Sequence, residues 1–172
     1  PLVVVFLGST YNVQHNLDAA RMIIERVAPL VERRAPGKFV FHILGAKLPL
    51  ELRSRCVGNI EHKDYISDLD SYLSNVDIAL SPSLFGAGMQ QKVFEPIARG
   101  IPTITSSRAL AGYSFQDGKH VLIADSPNEY LEKILLLASQ AQRSAIGIAG
   151  KTRSSDLFNS LLLDNVVSRE LK

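Results

Sequence analysis

Three features of the sequence predict an α/β fold: a doubly wound, mostly parallel six-stranded sheet with helices on both faces. Short apolar runs rich in β-branched residues recur along the chain, and runs of that kind form strands buried on both faces. Stretches with apolar residues three and four apart lie between them, and strand–helix–strand alternation pairs strands in parallel through right-handed crossovers. Small residues close the strands at Gly8, at Gly45 and from Ser81 to Gly88, at the strand ends where a doubly wound sheet gathers its ligands. A chain of 172 residues, 46% of them hydrophobic, is long enough to bury one domain well. Residues 1–141 are expected to hold the sheet, and residues 142–172 to form a helical tail.

Leu2 to Gly8 is the expected central strand. After a polar loop, Asn16 is placed to cap a helix whose apolar stripe is Leu17, Ala20, Ile24, Val27 and Val31. Pro29 falls inside that stripe and is expected to kink or break it. Lys38 to Gly45 is the second strand, followed by a loop at Ala46-Lys47-Leu48-Pro49 and a short helix to about Cys56. His42, within that strand, is expected to be a satisfied sheet histidine rather than a ligand. Asn59 to His62 is an edge-like strand, and Asp68 or Ser67 caps a small helix through Leu73. Val76 to Ser81, Ile101 to Ser106 and Lys119 to Ala124 complete the six strands. Ser126-Pro127 opens a helix with cap and first-turn proline, burying Tyr130, Ile134 and Leu137. The tail is helical in period but is expected to be interrupted at Gly147 and Gly150, with an apolar end at Leu157, Phe158, Leu161, Leu162 and Val166.

The chemistry concentrates between Ser81 and Pro102. Gly86, Ala87 and Gly88 allow close approach to the backbone, and the helix they open points unpaired N–H groups at any anion there. Lys92 and Glu95, three apart, share one helix face and set a carboxylate about one turn beyond a cation. Phosphates want N–H groups and lysine, and ribose hydroxyls want a carboxylate acceptor, so the set suits a nucleotide. The same glycines equally suit a plain strand-to-helix turn, and Glu95-Pro96 a structural kink.

Composition narrows the class. A net charge of +2 is no duplex-nucleic-acid footprint. One cysteine, Cys56, and four scattered histidines offer neither an internal disulfide nor a spaced metal-ligand set, as expected in a reducing cytosol. No run is long enough to span a membrane, and the apolar start lacks the basic flank of a signal peptide; the chain begins at once with a strand, as an excised domain would.

Phe85-Gly86-Ala87-Gly88 with Lys92-Val93-Phe94-Glu95, then Ala98 to Thr105 and Asp117 to Asp125, resembles the donor-binding C-terminal domain of family-four retaining glycosyltransferases of the GT-B fold (glycosyl transferases group 1). The likeness runs from about Val5 to about Leu137, and Asn16-Leu17-Asp18-Ala19-Ala20 is similar to a subgroup acting on bacterial polysaccharides. The resemblance implies Glu95 and Lys92 as the catalytic pair, with Glu95 on the ribose hydroxyls of a UDP- or GDP-linked sugar. It implies a donor site drawn from Gly8, His15, Lys47, Tyr65, Ile66, Phe85, Gly86, Ala87, Gly88, Lys92, Val93 and Glu95, with the base near Lys63 to Ile66. No metal or cofactor is implied, since positive groups and a helix N-terminus stabilise the departing diphosphate.

The implied partners are the nucleotide sugar, an N-terminal GT-B domain that completes the cleft, and a glycan or lipid-linked acceptor, with no nucleic acid. The implied location is cytoplasmic, peripheral at the inner face of the membrane. The sequence departs from the pattern at Ala87, Gln90, Asp64 and Pro96, and the loop from Ser9 to Asn16 carries no Arg and Lys pair to grip a diphosphate. Weak donor affinity is therefore expected. The alternative is a non-catalytic interaction module with a decayed donor site, self-associating through its C-terminal helix; a sugar-nucleotide epimerase is disfavoured because its acid and base residues have no counterpart.

Overall fold

The computed structural model describes residues 1–82, 91–110 and 113–170, with the backbone alone for Gln91, Lys92 and residues 160–170. Six strands form one sheet: β1 (Leu2–Thr10), β2 (Phe39–Ala46), β3 (Ile60–Lys63), β4 (Ile78–Ser81), β5 (Thr103–Thr105) and β6 (Leu122–Ile123). Their order is β3-β2-β1-β4-β5-β6 and every pairing is parallel, a stricter result than the mostly parallel sheet expected. The order reverses between β1 and β4, which puts the topological switch point at the carboxyl ends of the central strands.

Period-two alternation sends neighbouring residues to opposite faces. Val4, Phe41, Ile60 and Ile78 lie in register and face one core. That core is closed by α1 (Gln14–Met22), α2 (Ala28–Arg34) and α6 (Pro127–Leu136), through Ala20, Ile23, Val27, Tyr130 and Ile134. Val5, Leu44 and Ala79 face the other way, toward α4 (Leu69–Leu73). A third cluster joins Val93 and Ile97 of α5 (Gln91–Ala98) to Ala109, Phe115 and Val121. The short α3 (Leu50–Arg53) follows β2, and α7 (Gln140–Glu170) ends the chain.

Both expected caps with the right chemistry form. The Asp68 carboxylate accepts the Ser71 N–H at 3.1 Å, and the Ser126 hydroxyl accepts the Glu129 N–H at 3.2 Å ahead of Pro127. Three expectations are corrected. Asn16 does not cap α1: Val13 holds that position, and the Asn16 amide is turned inward, donating to the Thr10 carbonyl at 3.0 Å. Pro29 does not break the helix. Its missing N–H would strand the Glu25 carbonyl, and Ile23–Val27 widens into a π-helical turn that carries the chain from α1 into α2.

Gly147 and Gly150 do not interrupt α7. A Cβ at Gly147 would lie 2.3 Å from the Gly100 carbonyl oxygen, and one at Gly150 would lie 2.6 Å from that of His120, so both permit backbone-to-backbone packing. Gly100 itself ends α5 at φ 80°, with the Ile101 N–H returning to the Pro96 carbonyl at 3.0 Å. The expected turn at Gly112 and the side chains of Leu161, Leu162 and Val166 lie outside the described residues.

Candidate functional site

A cleft of about 260 Å³ opens at the switch point. Its walls come from strand ends, Leu7 and Ser9 of β1, Leu44 and Gly45 of β2 and Lys63 of β3, and from the Asp64-Tyr65-Ile66 loop and Glu95 of α5. Crossover connections thus bring Glu95 beside residues from three stretches far earlier in the chain, around Leu7, Leu44 and Tyr65.

The Glu95 side chain is one-third exposed, and its Oε1 accepts from Arg99 Nη2 at 3.2 Å, one helical turn on. The same guanidinium pairs with Asp70 of α4. These hydrogen bonds, that of Asp70 foremost, raise the Arg99 pKa above its ordinary value, so a permanent cation ties one Glu95 oxygen to Asp70 of α4. Tyr65 is 82% exposed at the rim, where a phenol ring can cover a flat ligand, and Ile66 packs beneath against the α4-side core.

Tyr11 packs behind the ends of β1 and β2, outside the lining of the cleft. Its ring occupies the space where a Cβ of Gly8 or Gly45 would sit, with approaches of 2.2 Å and 2.7 Å, and its hydroxyl donates to the Leu44 carbonyl at 2.6 Å. Burial pushes the Tyr11 pKa upward, keeping the hydroxyl a donor. β1 bulges between Leu7 and Thr10, with Ser9 at φ 59°, and Lys47 past β2 stands at φ 66°. Ser9, which lines the cleft in the left-handed region, marks backbone shaped against local preference there. His62 of β3 donates from Nε2 to the Gly45 carbonyl at 2.9 Å, pinning the end of β2 from its other side.

Of the residues that the sequence singles out, Tyr65, Ile66 and Glu95 meet in this cleft. Gly8 is turned to Tyr11, Val93 is buried in the third cluster and offers only its backbone, and half-buried His15 and exposed Lys47 stand past β1 and β2 outside the lining. Phe85, Gly86, Ala87 and Gly88, and the side chain of Lys92, lie outside the described residues. Tyr11, Ser9 and His62 carry no signal in the sequence, because each acts through a partner distant in the chain or through backbone geometry, whereas Arg99 stands four residues after Glu95, a helical spacing that could have found it. Among the described residues no group of three or more His, Cys, Asp or Glu is placed to hold a metal ion.

The family model described as glycosyl transferases group 1 matches residues 1–140. The chain belongs to that family. No curated protein matches it. Among solved structures, this group 1 domain is similar to the C-terminal domain of the glycosyl transferase group 1 family protein LpcC from Francisella tularensis, with TM-score 0.72 and 15% identity over 91% of this chain and 86% of that one. It is similar to a variant of S. aureus TarM solved with fondaparinux, α-GlcNAc-glycerol and UDP, with TM-score 0.74, 17% identity and 92% and 34% of the two chains covered. It is also similar to Anabaena HepE solved with UDP and glucose, with TM-score 0.74, 14% identity and coverage of 99% and 48%. At these identities the likeness is one of fold. The group 1 domain spans 86% of the LpcC domain, but only 34% of TarM and 48% of HepE.

Proposed function

We propose that this chain is the nucleotide-sugar-binding half of a retaining glycosyltransferase, passing a sugar from a UDP- or GDP-linked donor to a glycan or lipid-linked acceptor. The observation that carries the reading is Glu95, an anchored carboxylate that shares a switch-point cleft with Tyr65 and Ile66. In this reading Glu95 accepts the ribose hydroxyls, Tyr65 covers the base, and the N-terminus of α5 with Lys92 faces the diphosphate. Gly8, His15, Lys47 and Val93, which lie outside the lining of the Glu95 cleft, are assigned to the more distant groups of the donor through backbone or charge, and residues 85–88 to its phosphate and sugar. The departing diphosphate is stabilised by these groups without a metal ion. An N-terminal domain supplies the acceptor wall, and the isolated chain is inactive. The full protein works in the cytoplasm, peripheral at a membrane that presents the acceptor.

The test is a panel of UDP, GDP, ADP and TDP followed by NMR shifts of the backbone amides. One nucleotide is expected to move resonances around Tyr65 and Glu95 at millimolar concentration, and Glu95→Ala to abolish the effect. Identical titrations of parent and variant, or no shift from any nucleotide, overturn the reading. A second reading, a self-associating interaction module, is favoured by Phe158, which is 62% exposed on α7 beside an apolar groove formed by Phe94, Ala98 and Leu157. Light scattering separates the two: a monomer that binds nucleotide excludes the second.

A further inference from the structure

A separate groove of about 790 Å³ lies between the loop that leads into β6 and the middle of α7. Lys119 and His120 come from the loop, and Arg153 and Asp156 from the helix. His120 stands at the amino end of β6, whereas Glu95 meets the carboxyl ends of β1 and β2, so the groove lies at the opposite edge of the parallel sheet. It shares no residue with the Glu95 cleft.

Three hydrogen-bond donors border this groove. Arg153 Nε donates to the Ser114 carbonyl at 2.9 Å, which ties α7 to the loop and holds the guanidinium at the groove. Among the described residues no carboxylate forms an ion pair with Arg153 or Lys119. His120 Nδ1 accepts the Gln116 N–H at 2.9 Å, so the neutral ring carries its proton on Nε2 and that atom is a donor. The Phe115 ring meets the imidazole edge-on, with centroids 6.1 Å apart, and fixes its place. Burial foremost, then the charges of Lys119 and Arg153, lowers the His120 pKa, and among the described residues no carboxylate opposes them there. The field at this imidazole is therefore positive, although exposed Asp156 borders the same groove.

From this geometry we propose that the groove binds a phosphomonoester. A tetrahedral oxyanion takes donors from several directions, and here an ammonium, a guanidinium and an imidazole N–H converge from two separate elements. A phosphate ester carries a charge of about −1.5 to −2 near pH 7. That charge offsets both unpaired cations even with Asp156 beside them. Phe115 and Ala149 give the organic part of the ester an apolar wall. The site is independent of nucleotide binding at Glu95.

The test follows the His120 imidazole and the Ala149 amide by NMR, at fixed pH and ionic strength, as inorganic phosphate, glucose 6-phosphate or chloride is added to the chain. Both phosphates are expected to move the His120 resonances saturably in the millimolar range, the ester alone to move Ala149, and chloride to move neither. Lys119→Gln is expected to weaken ester binding about two- to tenfold, the worth of one charge-assisted hydrogen bond at an exposed site. Its melting temperature is expected to equal that of the parent, because Lys119 is exposed and holds no ion pair among the described residues. Arg153→Gln is expected to abolish saturation, but it also loses the bond to Ser114, so Lys119→Gln decides. Glu95→Ala is expected to leave every titration unchanged, which separates this site from the nucleotide cleft. The proposal is overturned if chloride matches phosphate, which would leave only screening of surface charge, if inorganic phosphate saturates and the ester does not, which would mean an adventitious ion only, or if Lys119→Gln binds the ester as the parent does.

Discussion

Arg99 decides how well Glu95 can serve a ligand. A lone glutamate on a helix samples several rotamers, whereas here one carboxylate oxygen is held by a guanidinium that is itself held by Asp70. Arg99→Ala is therefore expected to weaken nucleotide binding about three- to tenfold while moving stability by no more than about 1 kcal/mol, the usual worth of a partly exposed ion pair. Parallel NMR titrations and thermal melts check it, and an unchanged affinity would remove Arg99 from the site. Glu95 stands out in the sequence because its chemistry and its spacing from Lys92 are local. The Arg99–Asp70 and Tyr11–Leu44 contacts were not legible, since their partners stand 29 and 33 residues apart. Gly8 and Gly45 were legible as strand ends on the ligand side of the sheet, but the group that approaches their backbone is Tyr11 of the chain itself.

Elements were legible wherever one period dominates. All six strands appear where apolar runs place them, and the Asp68 and Ser126 caps form because the side chain and the N–H it accepts are three residues apart. The errors came from residues whose local meaning is overridden by packing. Glycine weakens an isolated helix, yet α7 runs unbroken because its two glycines lie against the carbonyls of Gly100 and His120. This gives a prediction of definite sign. Alanine at position 150 gains about 1 kcal/mol of helix propensity, but its methyl would stand 2.6 Å from the His120 oxygen and 3.3 Å from Ile97 Cγ2, forcing α7 away from α5. Gly150→Ala is expected to cost about 1–3 kcal/mol net, a fall in melting temperature of roughly 2–12 °C for a chain of this size. A melting temperature equal to or above that of the parent would show that α7 is free to shift, and would make the glycine a mere tolerance.

At the scale of the whole molecule, the parallel sheet follows from the alternation of strands and helices, but the electrostatics of the interior do not, because burial is set only once all the layers have closed. Two histidines illustrate this. His42 sits half-buried on β2, its Nδ1 hydrogen-bonded to the Tyr72 hydroxyl of α4, and burial lowers its pKa; Lys63 adds to that fall, and Glu61 opposes it without prevailing. His120, ahead of β6, accepts the Gln116 N–H on Nδ1 at 2.9 Å, and burial foremost, then Lys119 and Arg153, lowers its pKa as well. With both folded values below the unfolded value of about 6.5, the unfolded chain binds more protons than the native one between the two. Stability must then fall as pH drops through about 6.5, and this contribution stops falling once pH lies below the folded values. The melting temperature is expected to be flat above about pH 7 and to decline toward pH 5, before carboxylate protonation, near pH 4, adds its own loss. His120→Asn isolates one share of the effect, because a carboxamide oxygen can take the Gln116 N–H without titrating. The variant is expected to fold normally at pH 7 and to show a shallower decline, the remainder belonging to His42. A parent melting temperature constant from pH 7 to pH 5.5 would mean that neither imidazole is held neutral by the fold, and an unchanged slope in His120→Asn would assign the whole decline to the β2–α4 contact.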